Sequence, residues 1–107
     1  MRKSLAVICL LFPVNLFAEE SLNTNISGIR TGWNGDFFAI VSADPVKNPA
    51  SCPSADGYLS ENSQPGYKTY YAAALTAYSI NSKVTIIIDS TKCSLGRPKL
   101  IGINLFR

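Results

Sequence analysis

The sequence predicts a small α+β domain, a curved antiparallel sheet with one helix laid on it. Three observations predict it. Val84-Thr85-Ile86-Ile87-Ile88 is a β-branched run of the kind that fits a pleated, packed surface. Asn34-Gly35 stands between two apolar segments and has the residues that a two-residue type I′ hairpin turn needs. Tyr67 to Ile80 is the one stretch whose apolar residues recur at helical spacing.

The chain begins with an export pattern. Arg2 and Lys3 precede an apolar run from Leu5 to Phe12. That run fits the h-region of a signal peptide, about 7–15 residues, and is too short to span a bilayer. Pro13 breaks it, and Leu16-Phe17-Ala18 offers a small residue for cleavage before Glu19. Residues 1–18 read as a signal peptide and residues 19–107 as one small domain, secreted or periplasmic. Arg2 and Lys3 leave with the signal, so the net charge of +3 falls by two. No Lys/Arg cluster remains for nucleic acid, and no stable membrane insertion is expected.

Along the mature chain, residues 19–25 are polar and read as frayed. Ile26 to Trp33 is a strand weakened by Gly28 and Gly32, and Asp36 to Ala43 is its return strand. Asp44 to Gln64 carries Pro45, Pro49 and Pro53 and reads as a long loop, with Tyr58-Leu59 as its one short strand. Pro65-Gly66 opens the helix. Tyr67, Tyr71, Ala74, Leu75 and Tyr78 share one face, and Asn81 suits a left-handed end residue. Lys83 to Asp89, apolar on both faces, reads as a central strand covered on both sides. Ser90 to Lys99 reads as a loop, and Leu100 to Phe106 as a closing strand antiparallel to 84–89.

The chemistry available is narrow. The chain has no His, so the Ser-His-Asp and Cys-His constellations are absent. Cys9 is lost with the signal, which leaves Cys52 and Cys93. An even pair in an exported chain implies a disulfide, closing a loop of roughly 40 residues and worth up to about 4 kcal/mol in the chain-entropy account. The alternative, a pair of metal ligands, has neither His nor CxxC spacing to support it. No cofactor or metal motif is present.

Asp36, Asp44, Asp56, Glu61 and Asp89 are the remaining acid/base candidates, all at turns, strand ends or loops where carboxylates are ordinarily solvated. Aromatic residues offer more. Trp33 at the hairpin tip, beside Asn34 and Asp36, can stack on a sugar or anchor a protein contact, or fold back into the core. Tyr67, Tyr71 and Tyr78 belong to the helical core face. Tyr70 lies to one side of it as a contact residue. Tyr58 sits among the loops that would join the tip in holding a ligand.

The order and spacing of elements carry a resemblance. A hairpin over Ile26–Val41 precedes Cys52. Then Gly66-Tyr67-Lys68-Thr69-Tyr70-Tyr71-Ala72-Ala73-Ala74-Leu75-Thr76-Ala77-Tyr78 leads through Asn81-Ser82 into Val84–Ile88 without a gap. From Ile26 onward the chain resembles the B subunits of subtilase cytotoxin and related pertussis-like toxins, and small secreted bacterial proteins that share the helix–turn–strand block and a cysteine after it. The resemblance implies an OB-like, partly closed five-stranded barrel with one helix, no enzymatic activity, glycan binding, and a homo-oligomer in the form of a pentameric ring. It supplies no glycan-site residue, since nothing before Ile26 matches the family's ligand-holding serine.

The sequence thus leads to a small secreted, non-catalytic binding module. It would recognise a glycan or protein surface through Trp33, Asn34, Asp36, Tyr58 and Tyr70. The alternative is a secreted hydrolase inhibitor acting through a disulfide-held loop, Ser90–Lys99 or Asp44–Asp56.

Overall fold

A computed structural model of the chain describes residues 18–32 and 34–106. The expected signal segment therefore lies outside the described residues except for Ala18, and so does Trp33. Among the described residues, five strands and one helix follow in the order β1 (Glu19–Thr31), β2 (Phe37–Ser42), β3 (Tyr58–Glu61), α1 (Tyr67–Ile80), β4 (Lys83–Ser94) and β5 (Arg97–Phe106). The strands close into a ring in the order β1-β2-β3-β5-β4, with β4 pairing back onto β1. The α+β class stands. The sheet is mixed rather than wholly antiparallel, because β3 and β5 run parallel.

The hairpin forms where Asn34-Gly35 places it. Thr31 lies opposite Phe38, and Gly32 N–H donates to Phe37 O at 2.8 Å, a register centred on residues 34 and 35. Residues 19–25 are not frayed. Glu19 through Asn25 pair one by one with Asp89 through Lys83. Glu19, Ser21 and Asn23 are exposed while Leu22 packs on the core and Thr24 is buried, and Thr85 Oγ1 donates to Asn23 Oδ1 across the pair at 2.7 Å. The backbone of a β-branched strand needs a partner on each side, and this polar segment supplies one.

Ser90–Lys99 is likewise no loop. It is the end of β4, a two-residue turn at Leu95-Gly96, and the start of β5. Asp89 Oδ1 accepts Thr91 N–H, Thr91 Oγ1–H and Lys92 N–H at 2.9–3.0 Å. That local turn takes up the register shift between Ile88 and Cys93.

The core fills the ring from alternate positions. Phe38, Ile40, Tyr58, Val84, Ile86, Ile88 and Leu100 point inward and are fully buried, and Ala74 and Ala77 of the helix close over them. Val84, Ile86 and Ile88 face in while Thr85 and Ile87 are only partly covered, so β4 is covered on one side, not both. The helix is rotated from the expected face. Leu75 and Tyr78 are exposed, while Tyr67, Tyr70 and Tyr71 pack on the core. Small alanines let the helix axis approach the ring, and Phe38 takes the Tyr67 and Tyr71 rings at 5.7 and 5.0 Å. Gly66, at φ +90°, lies under Tyr70, where any Cβ would stand 2.6 Å from the ring. Asn81 ends the helix in the left-handed conformation.

The ring has one weak seam. β3 and β5 share a single registered pair, Leu59 with Lys99. Five further ties cross the same gap. Cys52 and Cys93 form a disulfide. Ser54 N–H donates to Gly96 O at 2.8 Å. Asp56 meets Arg97 at 2.8 Å. Ser94 Oγ–H donates to Glu61 Oε2 at 2.6 Å. Gln64, which accepts from Ser60 Oγ, donates to Leu100 O at 2.6 Å. Replacing Cys52 by Ser removes the covalent tie. It is expected to cost about 2–4 kcal/mol and lower the melting temperature of the oxidised protein. An unchanged thermal melt would contradict this account of the seam.

Candidate functional site

At one end of the seam three segments surround an open concavity of about 480 Å³: Asn34–Phe37 from the β1–β2 hairpin, Glu61–Ser63 after β3, and Leu95 at the β4–β5 turn. Its frame is fixed from below. Asn62 N–H donates to Asp36 O at 2.9 Å and so ties the hairpin tip to the end of β3. Ser94, only 3% exposed, holds Glu61 by one carboxylate oxygen. A ligand entering the cleft meets carboxylates, amides, a serine hydroxyl, the Phe37 ring and the Leu95 side chain.

Leu95 is the most unusual residue of the cleft. It is 53% exposed and holds φ at +49°, followed by Gly96 at +80°. A two-residue hairpin turn with both φ positive selects Asn and Gly, not Leu. Holding a γ-branched apolar side chain there costs of order 1 kcal/mol, with no core contact to offset it. Such backbone strain concentrates where a side chain is kept for contact.

The sequence-predicted residues divide. Asn34 and Asp36 line the cleft. Trp33 falls outside the described residues. Tyr58 is a core residue, fully buried, whose hydroxyl accepts Lys47 N–H at 2.8 Å; burial raises its pKa. Tyr70 packs on the core and donates its hydroxyl to Ile101 O at 2.8 Å. The structure brings neither tyrosine to the hairpin tip. In their place stand Phe37, Glu61, Asn62, Ser63 and Leu95. The one sequence signal for them was a lone leucine before Gly96 in an otherwise polar segment.

Asp36 and Glu61 are the two of the five acid/base candidates that share the cleft. Asp89 serves the β4 turn, and Asp44 donates its N–H to Thr24 Oγ1 at 3.2 Å. Asp56 lies on the outer face of β2 and β3, where its carboxylate sits between Arg97, at 2.8 and 3.3 Å, and Arg30, at 3.2 Å. Ala39 and Leu59 point outward there and are nonetheless buried. The Arg30–Asp56–Arg97 bridge spans this face, and a Cβ on Gly57 would stand 3.6 Å from that of Ala39. Gly57 passes so close to Ile40 O that an added Cβ would stand 2.9 Å from it. The disulfide-held segment thus straps this face, and a small cavity of about 70 Å³ remains between Arg30, Phe37, Ala39, Leu59 and Arg97.

No protein family, curated protein or solved structure matches the chain. Among the described residues, no helix is long and apolar enough to cross a membrane.

The strap has a pH signature. The Arg97 guanidinium, and then that of Arg30, hold the Asp56 carboxyl below its ordinary 3.8. A carboxyl depressed on folding stabilises the native state above its unfolded pKa and loses that contribution as pH falls through its folded pKa. The wild type is therefore expected to lose stability below about pH 4 more steeply than Asp56→Asn. Denaturant titrations between pH 2 and 6 check this, and parallel curves would contradict it.

Proposed function

We propose that the chain is a small exported, non-catalytic binding module of OB-like architecture, toxin-B-subunit-like, which holds a glycan in the cleft between the β1–β2 and β4–β5 loops. The strand order, the parallel β3–β5 contact and the helix between β3 and β4 support the OB-like reading. In that architecture the β1–β2 and β4–β5 loops are where oligosaccharides and oligonucleotides bind. The observation that carries the proposal is the cleft itself. It is open, tied to the ring by Asn62–Asp36 and Ser94–Glu61, and rich in planar polar side chains beside two apolar ones. The Cys52–Cys93 disulfide supports an exported protein in an oxidising compartment.

Self-association belongs to the same proposal. From Thr69 to Ser82 the sequence has no charged residue. Thr76 and Ser79 turn their hydroxyls back to Ala72 O and Leu75 O, and Leu75, Tyr78 and Ile80 are exposed. Charge-poor, aromatic-containing surface is typical of interface cores.

A second reading, a hydrolase inhibitor, is favoured by Leu95 alone. It is an exposed apolar side chain at the apex of a hairpin clamped two residues earlier by Cys93.

The test is binding of the mature protein to an immobilised oligosaccharide array, with its mass taken by light scattering. Leu95→Gly suits the positive φ, and Asn62→Ala keeps the backbone tie. Neither is expected to lower the thermal melt, and Leu95→Gly is expected to raise it slightly as the positive-φ strain is relieved. Each is expected to weaken glycan binding about tenfold or more, on particles of about five chains. Full binding by both variants would contradict the site. Inhibition of a hydrolase by a monomer that binds no glycan would select the second reading.

A further inference from the structure

We propose that the cleft selects an uncharged, hydroxyl-rich sugar over acidic ones, with Asp36 and Glu61 as its specificity-determining residues. The inference rests on the glycan reading above and adds the chemical class of the ligand.

The charge of the walls carries it. Among the described residues that line the cleft, Asp36 and Glu61 are acidic and none is basic. The nearest arginines in sequence, Arg30 and Arg97, are paired with Asp56. Arg97 also donates Nη1–H to Leu95 O at 3.2 Å, so its charge stands at the edge of the cleft already engaged by Asp56 and the turn. Lys68 and Lys99 border Asn62 and Glu61 from the adjoining surface and do not line the cleft. An anionic sugar in this concavity would face two like charges, a repulsion that salt screens.

A neutral sugar fits the same groups. Carboxylates are pure acceptors with several lone-pair sites, suited to the O–H donors of vicinal hydroxyls. Ser94 occupies one oxygen of Glu61 and thereby sets the side chain's direction without using up its acceptor capacity. Asn34 and Asn62 can both donate and accept, and Phe37 and Leu95 present apolar surface for the C–H face of a pyranose. That apolar share of the wall favours a neutral sugar over an amine-bearing one, which would gain from the carboxylates but lose hydration against Phe37 and Leu95.

The experiment compares neutral, sialylated or uronate-bearing, and amine-bearing oligosaccharides on one array, using the mature protein, Asp36→Asn and Glu61→Gln. Both variants are isosteric, and Glu61→Gln keeps an acceptor for Ser94. The wild type is expected to bind neutral sugars at least tenfold more tightly than acidic ones. Asp36→Asn and Glu61→Gln should each narrow that ratio severalfold, and salt should narrow it in the wild type. A wild-type preference for acidic or for amine-bearing sugars would overturn this inference while leaving the glycan reading intact. An unchanged ratio in both variants would also overturn it. Binding to none of the three classes would overturn the glycan reading itself.

Discussion

Closure of the ring between β3 and β5 is the constraint on which the rest of the structure depends. Every other strand pair is held by a run of registered partners, and this one by a single pair. A parallel pairing between a four-residue strand and the start of β5 gives too few backbone hydrogen bonds to hold the ring shut. The chain supplies the deficit with side chains and one covalent bond. Cys52–Cys93, Ser54–Gly96, Asp56–Arg97, Glu61–Ser94 and Gln64–Leu100 all cross it. A domain of this size buries a modest share of its unfolded surface, and a staple at its weakest joint is where a staple contributes most.

The same ties shape the site. Asp56 bridges Arg30 and Arg97 across the outer face of β2 and β3, where Ala39 and Leu59 are buried, and that face keeps only a small cavity. The larger concavity lies at the seam's end, where the ring stops pairing and the two hairpins diverge. Glu61 belongs to both features. Its bond to the buried Ser94 hydroxyl stitches the seam and fixes the direction of a side chain that also lines the cleft. Stability and recognition therefore share a residue, and the strained Leu95 stands directly after Ser94 on the same turn.

Much of this was legible in the sequence because local rules agreed with the global fold. Asn34-Gly35, the run Val84–Ile88, the alanine-rich helix and the Cys52–Cys93 pair each point to one structure. The departures have physical causes. Glu19–Asn25 looked unstructured because its residues are polar, but strand pairing is a backbone matter and β4 needed a second neighbour. Ser90–Lys99 looked like a loop because Leu95 occupies a turn position that the rules reserve for Asn or Gly. The helix turned its alanines inward because only small side chains allow the Tyr67, Tyr70 and Tyr71 rings to reach the ring of strands. Of the expected site, Asn34 and Asp36 were readable from the hairpin. Tyr58 went to the core, since alternation along a four-residue strand gives no warning of which face is inside. Glu61, Asn62 and Leu95 join the tip through tertiary closure across the seam, which no local pattern encodes.

The most direct test of the seam is amide hydrogen exchange, residue by residue, in the oxidised and the reduced protein. Reduction should raise exchange in residues 52–61 and 97–100 while the β1–β4 and inner β4–β5 amides stay protected, which is local opening along the stitched joint. A uniform rise across all five strands, or no change along β3, would contradict the claim that closure of the ring rests on these ties.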